Sequence, residues 1–126
     1  MAYILVADDE LVIRQILRET IEADGHEVGL ASDGNEVMRM VRERLPDLAI
    51  LDIIMPDKEG LETILEIRRD FPALPIIAMS GGAKVGSQSY LELAQRFGAR
   101  RALSKPFNIS ELRQAIKDLL PKDAEC

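Results

Sequence analysis

Four short apolar runs each stop within a residue or two of a side chain suited to phosphate chemistry. Tyr3–Ala7 runs into Asp8-Asp9, and Leu48–Leu51 runs into Asp52. Pro75–Met79 runs into Ser80, and Ala102-Leu103 leads to Ser104-Lys105-Pro106. Such nearly continuous apolar strands are expected where helices cover both faces of a parallel sheet. If the runs are parallel strands, three carboxylates, a hydroxyl and an ammonium gather at one sheet edge, where open α/β sheets place their sites. That grouping points to a metal-assisted acceptor of phosphoryl groups.

Between the runs the period changes from that of a strand to that of a helix. Val12, Ile13, Ile16, Leu17 and Ile21 keep helical spacing until Asp24-Gly25, with Leu11 on the opposite side. His26 to Ala31 reads as a second strand with His26 exposed, closed by Ser32-Asp33-Gly34. Asp33 with Glu36 forms a capping-box pattern for a helix bearing Val37, Met38, Val41 and Leu45. A third helix begins at Gly60 with Leu61, Ile64, Leu65 and Arg68 on one side, and a fourth carries Leu91, Leu93, Ala94 and Phe97. Gly98 is the expected left-handed cap of the fourth. A fifth strand covers about 100–103, and Asn108 with Glu111 caps a final helix bearing Ile109, Leu112, Ile116 and Leu119.

The alternation is (βα)5, a flavodoxin-like doubly wound α/β fold with a five-stranded parallel sheet. Right-handed crossovers leave few windings, and 2-1-3-4-5 is the leading order. It puts Asp8, Asp9 and Asp52 at a switch point between strands one and three. One domain is expected over 1–121, with 122–126 as a short tail. Twenty-two acids against 16 bases give a net charge of -6, which argues against direct binding of nucleic acid or an anionic membrane. The lone Cys126 leaves no disulfide framework, so a reducing, cytoplasmic setting fits. The start lacks the basic segment of a signal peptide, and no apolar stretch approaches a membrane span. Arg96, Arg100, Arg101 and Arg113 make the last third locally basic, read by default as solvated surface.

Asp8-Asp9-Glu10, Asp52 to Asp57 with Gly60, Ser80-Gly81, and Lys105-Pro106-Phe107 occur in order, each group at the end of its strand. Together they make the chain resemble a response-regulator receiver domain of two-component signalling, from Ile4 to about Leu120. The resemblance implies that Asp52 is phosphorylated from a histidine on a partner kinase or phosphotransfer protein. It implies that Asp8, Asp9, Asp52 and the backbone carbonyl of Ile54 hold Mg²⁺, with Mn²⁺ as a substitute. Lys105 would pair with the phosphoryl oxygens, Ser80 would donate to them, and the Lys105–Pro106 bond would be cis. A signalling switch rather than an enzyme is implied, meeting its downstream protein through the face of helix four, strand five and helix five.

Three positions depart from the family pattern, in two respects. Ala102 stands where receivers commonly carry an aromatic residue, so the switch region would comprise Ser80, Gly81, Gly82 and Ala102 without a rotating ring. Ile54 and Gly82 stand where family members help place the hydrolytic water, and neither side chain offers a hydrogen bond. Slow self-dephosphorylation is therefore expected. A stand-alone receiver is the leading reading, and a piece of a larger regulator or hybrid kinase keeps the same fold. An aspartate-dependent phosphohydrolase is the rival from another class, but its usual second acid is replaced by Ile54. A flavodoxin-like cofactor binder would need a phosphate cradle where Asp8-Asp9 stands.

Overall fold

A computed structural model describes residues 2–53, 60–81, 87–105 and 108–120. Five strands alternate with five helices: β1 Tyr3–Ala7, α1 Leu11–Ala23, β2 Glu27–Ala31, α2 Gly34–Glu43, β3 Leu48–Asp52, α3 Gly60–Asp70, β4 Ile76–Gly81, α4 Ser87–Phe97, β5 Arg101–Lys105 and α5 Ile109–Leu119. The strands form one parallel sheet in the order β2-β1-β3-β4-β5, the expected winding.

Successive side chains on a strand point to opposite faces, and this alternation divides the core in two. Leu5, Ala7, Ala49, Leu51, Ile76 and Ala78 pack with Val37, Met38 and Val41 of α2, Ile64 and Ile67 of α3 and Ala94 of α4. Ile4, Val6, Leu48, Ile50, Ile77 and Met79 pack on the other face with Leu17 and Ile21 of α1 and Leu112, Ala115 and Ile116 of α5. The sheet is thus covered on both sides, which explains why its central strands are apolar up to the polar residues Asp52 and Ser80 near their C-terminal ends.

The caps form as their residue types dictate. Asp33 Oδ1 accepts from the Glu36 N–H at 2.9 Å, and Asn108 Oδ1 accepts from the Glu111 N–H at 2.6 Å. Gly98, with φ at +135°, ends α4 in a conformation that L side chains rarely adopt.

Several sequence expectations fail on the helix surfaces. On α1 the core side is Leu17 and Ile21 with Ile13 partly covered, while Val12 (64% exposed) and Ile16 (44%) face outward with Leu11 (58%). Residues 12 and 16 form an i,i+4 stripe beside the 13, 17, 21 stripe, and only the latter lies on the sheet. On α3, Gly60, Thr63, Ile64 and Ile67 are buried, so Leu65 and Arg68 fall outside the covered face. Leu45 lies beyond the end of α2 and is exposed. His26 is half-buried rather than exposed, and its Nδ1 accepts from the Ala2 N–H at 3.1 Å. Arg101 and Arg113 stay exposed, as expected of solvated surface, and pair there with Asp118 and Asp24.

Candidate functional site

Strand register brings the candidate residues to one rim. Ala7 pairs with Leu51, so Asp8 and Asp52 follow at the same level. Asp52 pairs with Met79, which puts Ser80 one residue further on, opposite Ser104. Lys105 pairs with Gly81 and is the last residue of β5, two positions beyond the expected end of that strand.

Lys105 Nζ lies 2.5 Å from Asp8 Oδ2, 3.3 Å from Asp52 Oδ2 and 3.8 Å from Glu10 Oε1. Asp8 is held at every polar atom. Its N–H donates to the Ala31 carbonyl at 3.2 Å, and its Oδ1 accepts from the Glu10 N–H at 2.9 Å. Its carbonyl oxygen accepts from Arg14 Nη1 at 2.7 Å. Asp8, Asp52 and Ser80 are buried, whereas Asp9 and Glu10 are exposed.

Carboxylate oxygens of Asp8, Asp9 and Glu10 lie within 4.8 Å of one another. An all-oxygen donor set of this kind fits Mg²⁺, which keeps several waters beside a few carboxylates. Ser80 Oγ is buried without a hydrogen-bond partner among the described residues. Buried hydroxyls are normally satisfied, so this one suits an incoming acceptor oxygen.

Sequence reasoning named Asp8, Asp9, Asp52, Ser80 and Lys105, and the fold gathers Asp8, Asp52 and Lys105 through the ammonium contacts. It did not single out Glu10 as a member of the acid trio, nor Arg14 as the clamp on the Asp8 carbonyl. The available signal for Arg14 was its i,i+4 spacing from Glu10 on the first turn of α1. Ala102 is half-buried, next to Leu103 in β5, and Gly81 ends β4. The Ile54 carbonyl, Gly82 and the Lys105–Pro106 bond lie outside the described residues, as does the 122–126 tail.

Burial pushes the Asp8 carboxyl above its ordinary value of 3.8, despite the hydrogen bonds from Lys105 and the Glu10 N–H. Burial would lower Lys105, but the hydrogen bond to Asp8 and the charges of Asp52 and Asp8 prevail and raise it above 10.5. The two residues act oppositely on stability near neutral pH. The Lys105 contribution is fully present below 10.5 and is lost as pH rises through its folded value. Asp8 favours the folded state only while protonated, so its ionised form costs stability once pH exceeds its raised folded value. Asp8→Asn should therefore raise the Mg²⁺-free melting temperature at pH 7, because relief of the buried carboxylate outweighs the weakened Lys105 contact. Thermal unfolding in EDTA checks this; the gain should shrink as pH falls toward 3.8, and a lower Tm at pH 7 would contradict it.

A family model described as the response regulator receiver domain matches residues 4–117. The receiver-domain protein from Clostridium thermocellum superposes with a TM-score of 0.87 at 34% identity, covering 94% of each chain. A CheY-like receiver protein from Methanospirillum hungatei gives 0.84 at 27% identity, covering 94% of this chain and 92% of the other. Among curated relatives, the virulence transcriptional regulatory protein PhoP of Salmonella typhimurium is 32% identical over 98% of this chain and 54% of its own length. A protein-glutamate methylesterase/protein-glutamine glutaminase of Trichodesmium erythraeum is 36% identical over 94% of this chain and 35% of its own. The chain thus spans about half or less of these curated relatives.

Proposed function

The chain belongs to the response regulator receiver domain family of two-component systems, and we propose that it is a switch set by phosphorylation of Asp52. The observation that carries this reading is the placement of Lys105 Nζ between Asp8 and Asp52. A carboxylate attacking phosphorus must approach an already negative centre, and the neighbouring acids oppose it. Lys105 supplies one positive charge beside the nucleophile. Mg²⁺, held by Asp8, Asp9 and Asp52 with the Ile54 carbonyl and aided by Glu10, would supply further charge neutralisation at the transferring group. Mn²⁺ would substitute.

In the reaction an Asp52 carboxylate oxygen forms a bond to phosphorus while the bond from phosphorus to a donor histidine nitrogen breaks. The product is an acyl phosphate, a labile species suited to a reversible signal. Ser80 Oγ then donates to a phosphoryl oxygen, and Lys105 exchanges its carboxylate partners for another. Two charge-assisted bonds at about 1.5–3 kcal/mol each give about 3–6 kcal/mol. Taking an equilibrium from 1:99 to 99:1 needs about 5.5 kcal/mol, so the two contacts shift the balance substantially and reach a nearly complete switch only at the top of that range. The readout runs from Ser80 through Gly81 and Gly82 to the region ending at Lys105, with Ala102 providing no aromatic rotor. Its output surface is the face of α4, β5 and α5, offered to a downstream protein.

This is a phosphoacceptor and not an enzyme turning over free substrates, and its setting is cytoplasmic. Among the described residues no helix is long and apolar enough to cross a membrane. Intact mass after incubation with acetyl phosphate tests the reading. One phosphoryl group should add with Mg²⁺ present and none with EDTA. Steady hydrolysis of a small phosphate ester without a modified intermediate would overturn it.

The lifetime of the modified state gives a further expected outcome. Ile54 and Gly82 offer no side-chain hydrogen bond to a hydrolytic water, so decay should be slow. Ile54→Asn should speed it by roughly tenfold, the scale of one positioned polar group. Decay of the isolated acyl phosphate measures this, and an equal or longer lifetime would count against it.

A further inference from the structure

The N-terminal rim of the sheet, opposite Asp52, carries a groove for which the phosphoryl chemistry has no use. It lies where α1 ends, β2 begins and α5 ends. Its volume is about 470 Å³, and it is lined by Asp24, His26, Arg113, Ile116, Lys117 and Leu120. That falls within the roughly 300–1,000 Å³ typical of small-molecule clefts.

Its polar lining is almost entirely donors. Arg113 and Lys117 are four residues apart and share one face of α5. Arg113 gives Nε to Asp24 Oδ2 at 2.9 Å, and its two Nη groups make no hydrogen bond among the described residues. Lys117 makes neither a hydrogen bond nor an ion pair of its own among them. His26 Nδ1 accepts from the Ala2 N–H, which leaves the ring proton on Nε2 as a donor. Within the lining, two cations face the single carboxylate of Asp24, on a chain whose net charge is -6; the Asp118 carboxylate, outside the lining, also feels the Lys117 charge. Ile116 and Leu120, both buried, add an apolar side.

We propose that this groove binds a small organic carboxylate. Its anionic end would lie among Lys117, the Arg113 Nη groups and His26 Nε2, and its apolar body against Ile116 and Leu120. A monoanion matches the single excess charge of the lining, and the apolar side disfavours a bare inorganic ion.

Titration of the isotope-labelled chain with benzoate, followed by amide NMR without Mg²⁺ or acetyl phosphate, tests this independently of Asp52. Saturable shifts are expected at 24–27 and 113–120. Neutral benzamide, of the same shape, should bind at least about tenfold more weakly. Lys117→Gln should weaken benzoate by about tenfold, the loss of one charge-assisted bond. Arg113→Gln should weaken it similarly, and because it also removes the Asp24 pair, Lys117→Gln is the decisive variant. Shifts that do not saturate, equal binding of benzamide, or unchanged affinity in Lys117→Gln would each overturn the proposal.

Discussion

Asp52→Asn is expected to lower phosphoryl incorporation from acetyl phosphate by at least about a thousandfold, to below detection by intact mass. The amide keeps the shape of the side chain but offers no anionic oxygen to form the bond to phosphorus. The fold should survive, because Lys105 retains its contact with Asp8 and no core volume changes. Circular dichroism and Mg²⁺-free melting would establish that the loss is chemical. Incorporation at the wild-type rate in this variant would mean that another acid, such as Asp8 or Asp9, is the acceptor, and the assignment of Asp52 would fall.

Gly60→Ala is expected to damage stability and the site together. The Gly60 N–H donates to the Ile53 carbonyl at 3.1 Å, bringing the start of α3 against the end of β3. A methyl group at Gly60 would collide with the Asp52 carbonyl oxygen and the Ile53 Cα. Both are backbone atoms, one of the last residue of the buried third strand and the other of the buried residue after it, so neither yields cheaply. Overpacking of this kind costs roughly 1–3 kcal/mol, a fall in Tm of at least about 3 °C. One of the displaced atoms is the carbonyl oxygen of Asp52 itself, so the rate of phosphoryl incorporation should fall as well. Gly25→Ala is the useful comparison. Gly25 has φ at +91° with nothing within 4 Å of an added Cβ, so it should lose some stability while leaving incorporation unchanged. Wild-type melting and kinetics in Gly60→Ala would refute this account of the α3–β3 contact.

The legible parts of the fold are those in which burial dictates residue type. β1, β3 and β4 lie under helices on both faces, so apolar side chains at successive positions mark them plainly. The caps at Asp33 and Asn108 were equally readable, since each is a local pairing over three residues. α1 was not, because it carries two adjacent aliphatic i,i+4 stripes and only its seating on the sheet selects Leu17 and Ile21. The last two residues of β5 were missed because Ser104 and Lys105 are polar. They extend the strand through backbone pairing with Ser80 and Gly81.

For the site, the residue types at the strand ends were visible, whereas their contacts were not. The bond from Lys105 to Asp8 spans 97 positions, and no spacing rule reports it. Arg14 was hidden for a different reason: a helical arginine is normally solvated, and its bond to the Asp8 carbonyl depends on the turn between β1 and α1. Asp52 and the Asp8–Asp9–Glu10 trio converge through the Lys105 ammonium, a relation set by strand register.

The position of the transferred group is the most direct test. After exposure to acetyl phosphate and Mg²⁺, the acyl phosphate can be trapped by reduction and located by fragment mass spectrometry. The modification is predicted at Asp52 alone, dependent on the divalent ion and depleted in Lys105→Met. A modification at any other residue, or one formed equally well in EDTA, would contradict the claim that this rim is a metal-assisted phosphoryl acceptor.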